Sequence, residues 1–148
     1  MAPPSRAPAP AGKLHCPSAQ PEWKGSVVLG VVQGTPEQPR LVQLGRTLPV
    51  TDELLKMAEP VTPTEVFRFA APCVKGACQH FRGGACRLAV KIVRHLEPVT
   101  DELPACEIRD RCRWFAQEGA EACFRCPAVV TDQLTADPVL RFVTDPGA

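Results

Sequence analysis

The sequence predicts a small single α+β domain, with an N-terminal β-hairpin followed by short helices and cysteine-rich metal-binding loops. Two observations predict this class. Valine-rich extended segments come before segments with helical periodicity, and 17 prolines with 10 glycines divide the 148-residue chain into short elements. Six Phe, two Trp and no Tyr leave the hydrophobic core thin. We therefore expect something besides apolar burial to stabilise the fold.

The predicted domain boundaries follow from length and composition. A chain of this length has room for one ordinary domain, which we place at residues 14–136. Residues 1–13 are rich in Pro and Ala and cannot bury enough surface to offset the entropy of ordering, so a disordered tail is predicted there. Residues 137–148 are predicted to be a flexible C-terminal tail.

The hairpin is predicted at 26–48. The peptides SVVLGVVQ and RLVQLGRTL are extended in character, and GTPEQP between them supplies turn chemistry. After the hairpin, Thr51 can cap a short helix through residue 58. Thr62 and Glu65 form a capping-box pattern with a proline at the first helical position, which predicts a second helix over 63–71.

The best helical signal lies at residues 85–96, where apolar residues recur with a period of one helical turn. These core positions are Ala85, Leu88, Ala89, Ile92, Val93 and Leu96. A fourth helix is predicted over 107–118, with Cys112 on the same face as Ile108 and with Gly119 where a left-handed C-cap is needed.

Charge and targeting signals narrow the class of protein. Seventeen basic and 16 acidic side chains give a net charge of +1, so the whole molecule has no electrostatic footprint for nucleic acid or an anionic membrane. The N-terminus lacks the apolar stretch of a secretory signal, and no run approaches the roughly 20 apolar residues that cross a bilayer. We expect a cytoplasmic protein without a membrane partner. A reducing cytosol disfavours disulfides, and cysteine-dense intracellular chains more often bind metal.

The eight cysteines divide into two groups by their spacing. The first has the pattern C-x4-C-x7-C and needs a fourth ligand, which Cys16 can supply, or else His80 or His15. The second has the pattern C-x5-C-x10-C-x2-C and can complete a site alone. Interleaving of the two groups is an open alternative. We call Cys16, Cys73, Cys78 and Cys86 the first cysteine set, and Cys106, Cys112, Cys123 and Cys126 the second cysteine set.

An iron–sulfur cluster is the predicted occupant, as one or two [4Fe–4S] clusters. Zinc modules usually present paired CxxC knuckles, whereas here only Cys123 and Cys126 have that spacing. The wider spacings suit a cluster, whose irons lie further apart than the ligand positions around a single ion. A proline follows both Cys16 and Cys126, and a proline after a ligating cysteine also occurs in ferredoxin-type motifs. Zinc is the alternative cofactor.

A buried cluster would carry net negative charge, which nearby cations can offset. Four arginines lie close to the second cysteine set in sequence. They either offset the negative charge of the cluster or form a solvated helix face paired with acidic neighbours, and the sequence favours neither interpretation. The arginines are Arg109, Arg111, Arg113 and Arg125, and the acidic residues are Glu107, Asp110, Glu118 and Glu121.

The predicted function is electron transfer, redox sensing or service as a cluster-bearing accessory to a larger enzyme, with a protein partner. No phosphate loop, zincin, nucleophile-elbow or haem motif is present, so independent catalysis is not expected. The rival is a structural-zinc protein that acts as an interaction adaptor or binds nucleic acid through the helical stripe of Arg87, Lys91 and Arg94. A thioredoxin-like role for the CFRC peptide lacks the expected βαβ context.

Overall fold

The computed structural model describes residues 14–35, 37–75, 78–132 and 138–146, so the predicted tail over 1–13 lies outside the described residues. The described residues form an α+β fold, as predicted, with a four-stranded antiparallel sheet, a two-stranded ribbon and six α-helices. The strands are β1 (His15–Ala19), β2 (Val27–Gly34), β3 (Pro39–Pro49), β4 (Phe67–Pro72), β5 (Phe81–Arg82) and β6 (Ala85–Cys86). The helices are α1 (Asp52–Lys56), α2 (Pro63–Val66), α3 (Arg87–His95), α4 (Arg113–Glu118), α5 (Ala120–Arg125) and α6 (Pro138–Thr144).

The predicted hairpin is confirmed as β2 and β3, which pair antiparallel from Val27 opposite Pro49 to Gly34 opposite Pro39. A bulge shifts the register next to Gly30. Only glycine fits at this bulge, because a Cβ atom there would lie 2.5 Å from the carbonyl oxygen of Val42. The hairpin joins a sheet with the order β1-β4-β2-β3, so β4 is an interior strand.

The second predicted helix is wrong for most of its length. The capping box forms, with the Thr62 amide donating to the Glu65 carboxylate at 3.0 Å, but the helix ends at Val66 and β4 follows. Phe67, Phe69 and Ala71 pack into one hydrophobic core, whereas Arg68 and Ala70 are buried on the opposite face of the sheet. Because both faces of β4 are buried, its sequence lacks the alternation of apolar and polar residues that marks a strand.

The predicted helix over 85–96 begins two residues later than expected, because Ala85 and Cys86 form β6. Leu88, Ala89 and Ile92 of α3 are buried, as the periodicity predicts. Lys91 belongs to the predicted basic stripe, yet only 4% of its surface is exposed. Its ammonium donates to the carbonyl oxygens of Asp145 at 2.6 Å and Phe142 at 3.4 Å. The stripe is therefore not a continuous solvent-facing surface.

The predicted helix over 107–118 is interrupted at Cys112, whose backbone is extended. A 3-10 turn at Arg109–Arg111 precedes it and α4 follows. The expected break at Gly119 is confirmed, with a φ angle of 76° that favours glycine. Helix α5 begins directly after this residue and was not predicted.

Helix α6 lies in the stretch 137–148, where the sequence predicts a flexible tail. Its Leu140 and Val143 are buried in the same core as Ile92 of α3. Described residues from 138 onward thus belong to the packed fold. Across the described parts of the chain, no helix combines the length and the apolar character needed to cross a membrane.

Candidate metal centres

The sheet joins the first two thiols of the first cysteine set. Cys16 lies on β1 and faces Ala71 of β4 in the antiparallel register. Cys73 follows β4 directly, and its amide donates to the carbonyl oxygen of Leu14 at 2.8 Å. Pairing of β1 with β4 therefore places two cysteines that are far apart in sequence beside each other.

Of the other two cysteines of this set, Cys86 lies on β6 and Cys78 lies in the bend before β5. The carbonyl of Cys78 accepts from the amide of Phe81 at 3.1 Å, and Phe81 pairs with Cys86 across the ribbon. Burial raises the pKa of the Cys16 thiol to about 12, and repulsion from the thiols of Cys86, Cys73 and Cys78 contributes to this rise. The pKa of Cys16 is thus influenced by the three cysteines it was predicted to complete, and their service as one ligand set stays a prediction.

Backbone amides lie near the thiols of the first cysteine set. Cys86 precedes α3, and the amides of Leu88 and Ala89 lower the pKa of its thiol, which partly offsets the rise caused by burial. The amide of Ser18 lowers the pKa of Cys16 in the same way. These donors can stabilise sulfur as a thiolate, the form that binds metal.

His80 adjoins Cys78, and its own amide donates to the Cys78 sulfur at 3.4 Å. Burial lowers the pKa of the His80 imidazole, and the charges of Lys91 and Arg82 lower it further. His80, which was predicted as a substitute ligand for Cys16, thus lies beside a thiol of the first set and stays an alternative ligand.

The second cysteine set surrounds a cavity, and all four of its thiol-bearing residues line it. The cavity volume is about 20 Å³, roughly what one water molecule needs. Trp114 and Arg109 also line this cavity. The indole N–H of Trp114 and the Nε of Arg109 are buried and lack hydrogen-bond partners among the described residues.

Local helical turns supply amides to this set as well. Cys112 is the N-cap of α4, and the nearby amides of Phe115 and Trp114 lower the pKa of its thiol. The amide of Ile108 lowers the pKa of Cys106 in the same way. Burial is the main cause of the raised pKa of Cys112, Cys106 and Cys123.

Arg68 contributes a buried guanidinium to the second cysteine set. The residue is 0% exposed, and its Nη2 donates to the sulfur of Cys126 at 2.6 Å. The same side chain donates to the carbonyl oxygens of Pro17 at 2.7 Å, Cys126 at 2.6 Å and Val129 at 3.0 Å. Its guanidinium also lies 5.4 Å from the ring centroid of Trp114. Among the described residues no carboxylate pairs with Arg68.

The four arginines predicted near this set divide between the two interpretations. Arg109 donates to the Cys123 sulfur and lowers its pKa. Arg111 pairs with the exposed Asp110 at 3.2 Å, as the solvated-face interpretation expects. Arg125 pairs with Glu121 at 2.7 Å, but its side chain is only 13% exposed and its Nε donates to the carbonyl oxygen of Leu96 at 2.7 Å. The guanidinium of Arg113 lies over the ring of Phe81, 5.4 Å from its centroid.

Sequence reasoning missed Arg68, because it lies in the segment that was predicted to be helical. The only available signal was a cation within the otherwise apolar peptide FRFAA.

The prediction of cysteine-rich loops is not confirmed, since Cys16, Cys86 and Cys123 lie on β1, β6 and α5, whereas Cys73, Cys78 and Cys106 lie outside helices and strands. Cys126 begins a 3-10 turn. A redox-active pair would place its attacking thiol at a helix N-terminus, whereas Cys123 lies in the second half of α5. The thioredoxin-like placement is therefore not found.

The two sets adjoin each other within the fold. His15 forms a parallel bridge with Cys112, and Pro17, which follows Cys16, lines the cavity of the second set. The side-chain amide of Gln117 on α4 accepts from the amide of Cys86 and donates to its carbonyl, both at 2.9 Å. Elements that hold one set thus also contact the other.

Each thiol with a raised pKa is influenced by thiols of its own set, which agrees with the grouping by sequence spacing. All eight cysteines are free thiols. Among the described ranges, no group of three or more His, Cys, Asp and Glu side chains has the arrangement that would hold a metal ion.

The described residues form a small α+β fold that carries eight free cysteines. Comparisons with protein-family models, with curated proteins and with solved structures find no match to this chain.

Proposed function

We propose that this protein binds two [4Fe–4S] clusters, one in each cysteine set. It would act in electron transfer or redox sensing, or as a cluster-bearing accessory to a larger enzyme, with a protein as its redox partner and the cytoplasm as its compartment. The observation that carries the proposal is the contact between the buried guanidinium of Arg68 and the sulfur of Cys126, at 2.6 Å.

A guanidinium stays protonated in proteins, and a buried charge without a counter-charge is strongly unfavourable. No described carboxylate neutralises Arg68, so the counter-charge must come from another group. Thiolates bound to a cluster would supply it, because four of them leave the site with net negative charge.

Two buried hydrogen-bond donors without acceptors also support a cluster at this cavity. The Trp114 indole and the Nε of Arg109 find no acceptor among the described residues, and both residues line the cavity of the second cysteine set. Unpaired buried donors are costly, and the sulfurs of a cluster accept hydrogen bonds.

The spacing of the cysteines along the chain favours a cluster over a single zinc ion, since only Cys123 and Cys126 form a CxxC pair. Four thiolates at about 2.3 Å from one zinc ion would lie about 3.8 Å from one another, around a point. Since the cavity volume is only about 20 Å³, the thiols must move apart to receive a cluster. The structural-zinc protein, acting as an adaptor or on nucleic acid, is the second candidate.

The test is anaerobic purification of the full chain, followed by an absorption spectrum and analysis of iron, sulfide and zinc. We expect a band near about 400 nm, with about eight irons and about eight sulfides per chain. Colourless protein with about two zinc ions per chain would replace this proposal by its zinc alternative. Protein without either metal, whose eight thiols are all alkylated without loss of fold, would overturn both.

For the zinc alternative, salt-dependent binding to DNA or RNA is the distinguishing result. Arg87 and Arg94 are exposed on α3, whereas Lys91 is buried, so neutralising the first two should weaken such binding. Unchanged binding in the Arg87→Gln, Arg94→Gln double variant would exclude the predicted stripe as its cause.

A further inference from the structure

Arg68 connects the two cysteine sets. Its Nε donates at 2.7 Å to the carbonyl oxygen of Pro17, the residue that follows Cys16. Its Nη2 donates at 2.6 Å to the sulfur of Cys126. One side chain and two hydrogen bonds therefore join the main chain beside a first-set thiol to a second-set thiol.

The two sets differ in the charge of the groups that donate to their sulfurs. The second cysteine set receives guanidinium groups from Arg68 and Arg109, besides the backbone amides described above. At the first set the amide of His80 donates to the sulfur of Cys78, and backbone amides lower the pKa of Cys16 and Cys86.

Lys91 is the cation that acts on the first cysteine set, through Cys86. The influence of Asp145 on Lys91 is larger than that of Cys86 and has the same favourable sign. Asp145 therefore offsets part of the Lys91 charge on the first set, whereas no described carboxylate pairs with Arg68.

This difference has a predictable effect on reduction potential. Reduction adds one negative charge to a cluster, and a nearby cation stabilises that charge most where the surroundings are buried and of low dielectric. Two guanidinium groups at the second set thus stabilise its reduced state more than amide dipoles stabilise that of the first.

We propose that Arg68 holds the second cysteine set at a higher reduction potential than the first, so that an electron that enters at the first set moves to the second. This inference rests on the proposed function. In the step, the reduced first cluster loses one electron and returns to its oxidised state, while the second cluster gains that electron. No atom or proton is transferred. The electron comes from a one-electron donor protein whose potential lies below that of the first set.

The experiment is an anaerobic redox titration of the cluster-loaded full chain, followed by electron paramagnetic resonance. The Cys16→Ala and Cys112→Ala variants, each with one cluster removed, assign the two transitions. We expect the second set to be reduced first, with an equilibrium constant of at least about 10 for the electron between the sites. That factor corresponds to about 59 mV for a one-electron couple.

Arg68→Met and Arg68→Lys separate charge from packing. Methionine removes the positive charge and lysine keeps it, while both lose the forked hydrogen bonds of the guanidinium. We expect Arg68→Met to lower the equilibrium constant about tenfold by shifting the second transition alone, and Arg68→Lys to shift it less. Arg40→Met, which changes an exposed arginine on β3, is the control and should leave both transitions in place.

If Arg68→Met does not fold, Arg109→Gln tests the same point, because it removes the other guanidinium that contacts this set. Equal potentials in the unaltered protein, a first set that is reduced before the second, or equal shifts of both transitions would overturn the inference. Absence of clusters would appear earlier, in the iron and sulfide analysis, and would instead overturn the proposed function.

Discussion

The first cysteine set is assembled by the sheet and its ribbon from positions between Cys16 and Cys86, whereas the second comes from one local stretch between Cys106 and Cys126. The first receives backbone amides, and the second receives buried or partly buried arginines as well. The two sets therefore have the same number of thiols but differ in the charge of the groups around them. The number of ligands predicts that two sites exist, but only the tertiary structure shows how they differ.

The two sets also differ in what must fold before they form. Closing the long loop between Cys16 and Cys73 costs chain entropy, which pairing of β1 with β4 compensates as the strands form. The second set needs only the short helical turns around Cys112 and Cys123. Its dependence on the sheet enters through Arg68, which belongs to β4.

The largest expected effect separates the two sets by their metal content. Cys16→Ser should remove the cluster of the first set, and Cys112→Ser that of the second, because a [4Fe–4S] cluster takes four ligands. Each variant should therefore hold about half of the iron and sulfide of the unaltered protein. Metal analysis and visible absorption measure this.

The double variant is the control for that prediction, and it should hold no cluster. Loss of all iron from either single variant would contradict two separate sites. Full iron content in Cys16→Ser would show that another residue, such as His80, completes the first set.

The division of the cysteines into two sets was largely predictable from their spacing. The second set lies within one short stretch, and three cysteines of the first set lie within residues 73–86. The position of Cys16 was not predictable, because it depends on pairing between β1 and β4. Neither strand was predicted. Strand β4 has both faces buried, so its residues are mostly apolar without alternation, and the preceding capping box favoured a longer helix.

The arginines that lie at the second cysteine set were harder to predict from the sequence than the cysteines themselves. Sequence proximity nominated four arginines, of which Arg109 contacts a thiol of the second set and Arg111 pairs with an acidic neighbour. Proximity along the chain could not separate these cases, because side chains that follow one another point in different directions. Arg68 lies far from Cys126 in sequence, and its contact exists only once β4 is placed in the sheet.

The next largest effect concerns the stability of the metal-free chain. Arg68→Met leaves the carbonyl oxygens of Pro17, Cys126 and Val129 without this donor, and unsatisfied buried groups cost about 1–3 kcal/mol each. Removing an uncompensated buried charge offsets part of that loss. We expect the free energy of unfolding to fall by about 2–4 kcal/mol, measured by urea denaturation under anaerobic reducing conditions.

Arg40→Met is the matched control, since Arg40 is exposed on β3, and it should change stability by less than about 0.5 kcal/mol. An unchanged urea midpoint in Arg68→Met would show that the Arg68 hydrogen bonds do not stabilise the metal-free fold. Metal loading should add less stability to Arg68→Met than to the unaltered chain, because the variant lacks the cation that the thiolates of the second set would face.

The last expected effect is a loss of stability of the metal-free chain at alkaline pH. Burial raises the pKa of Cys16 from 9.0 to about 12, so between these values the unfolded chain loses this proton while the folded chain keeps it. The unfolded state then binds fewer protons, and the free energy of unfolding falls as pH rises. The stabilisation is complete below about pH 9 and is lost toward about pH 12, at up to about 1.4 kcal/mol per pH unit for this thiol.

Urea midpoints of the metal-free protein between about pH 8 and about pH 10.5 measure this slope. Cys16→Ser should make it shallower, because a serine hydroxyl does not titrate in this range. The cluster-loaded protein should lack the Cys16 contribution, since a metal-bound thiol has already lost its proton. An equally steep slope in Cys16→Ser would show that the Cys16 thiol is not held neutral by burial, and a slope that persists after cluster loading would show that Cys16 is not a ligand of the first set.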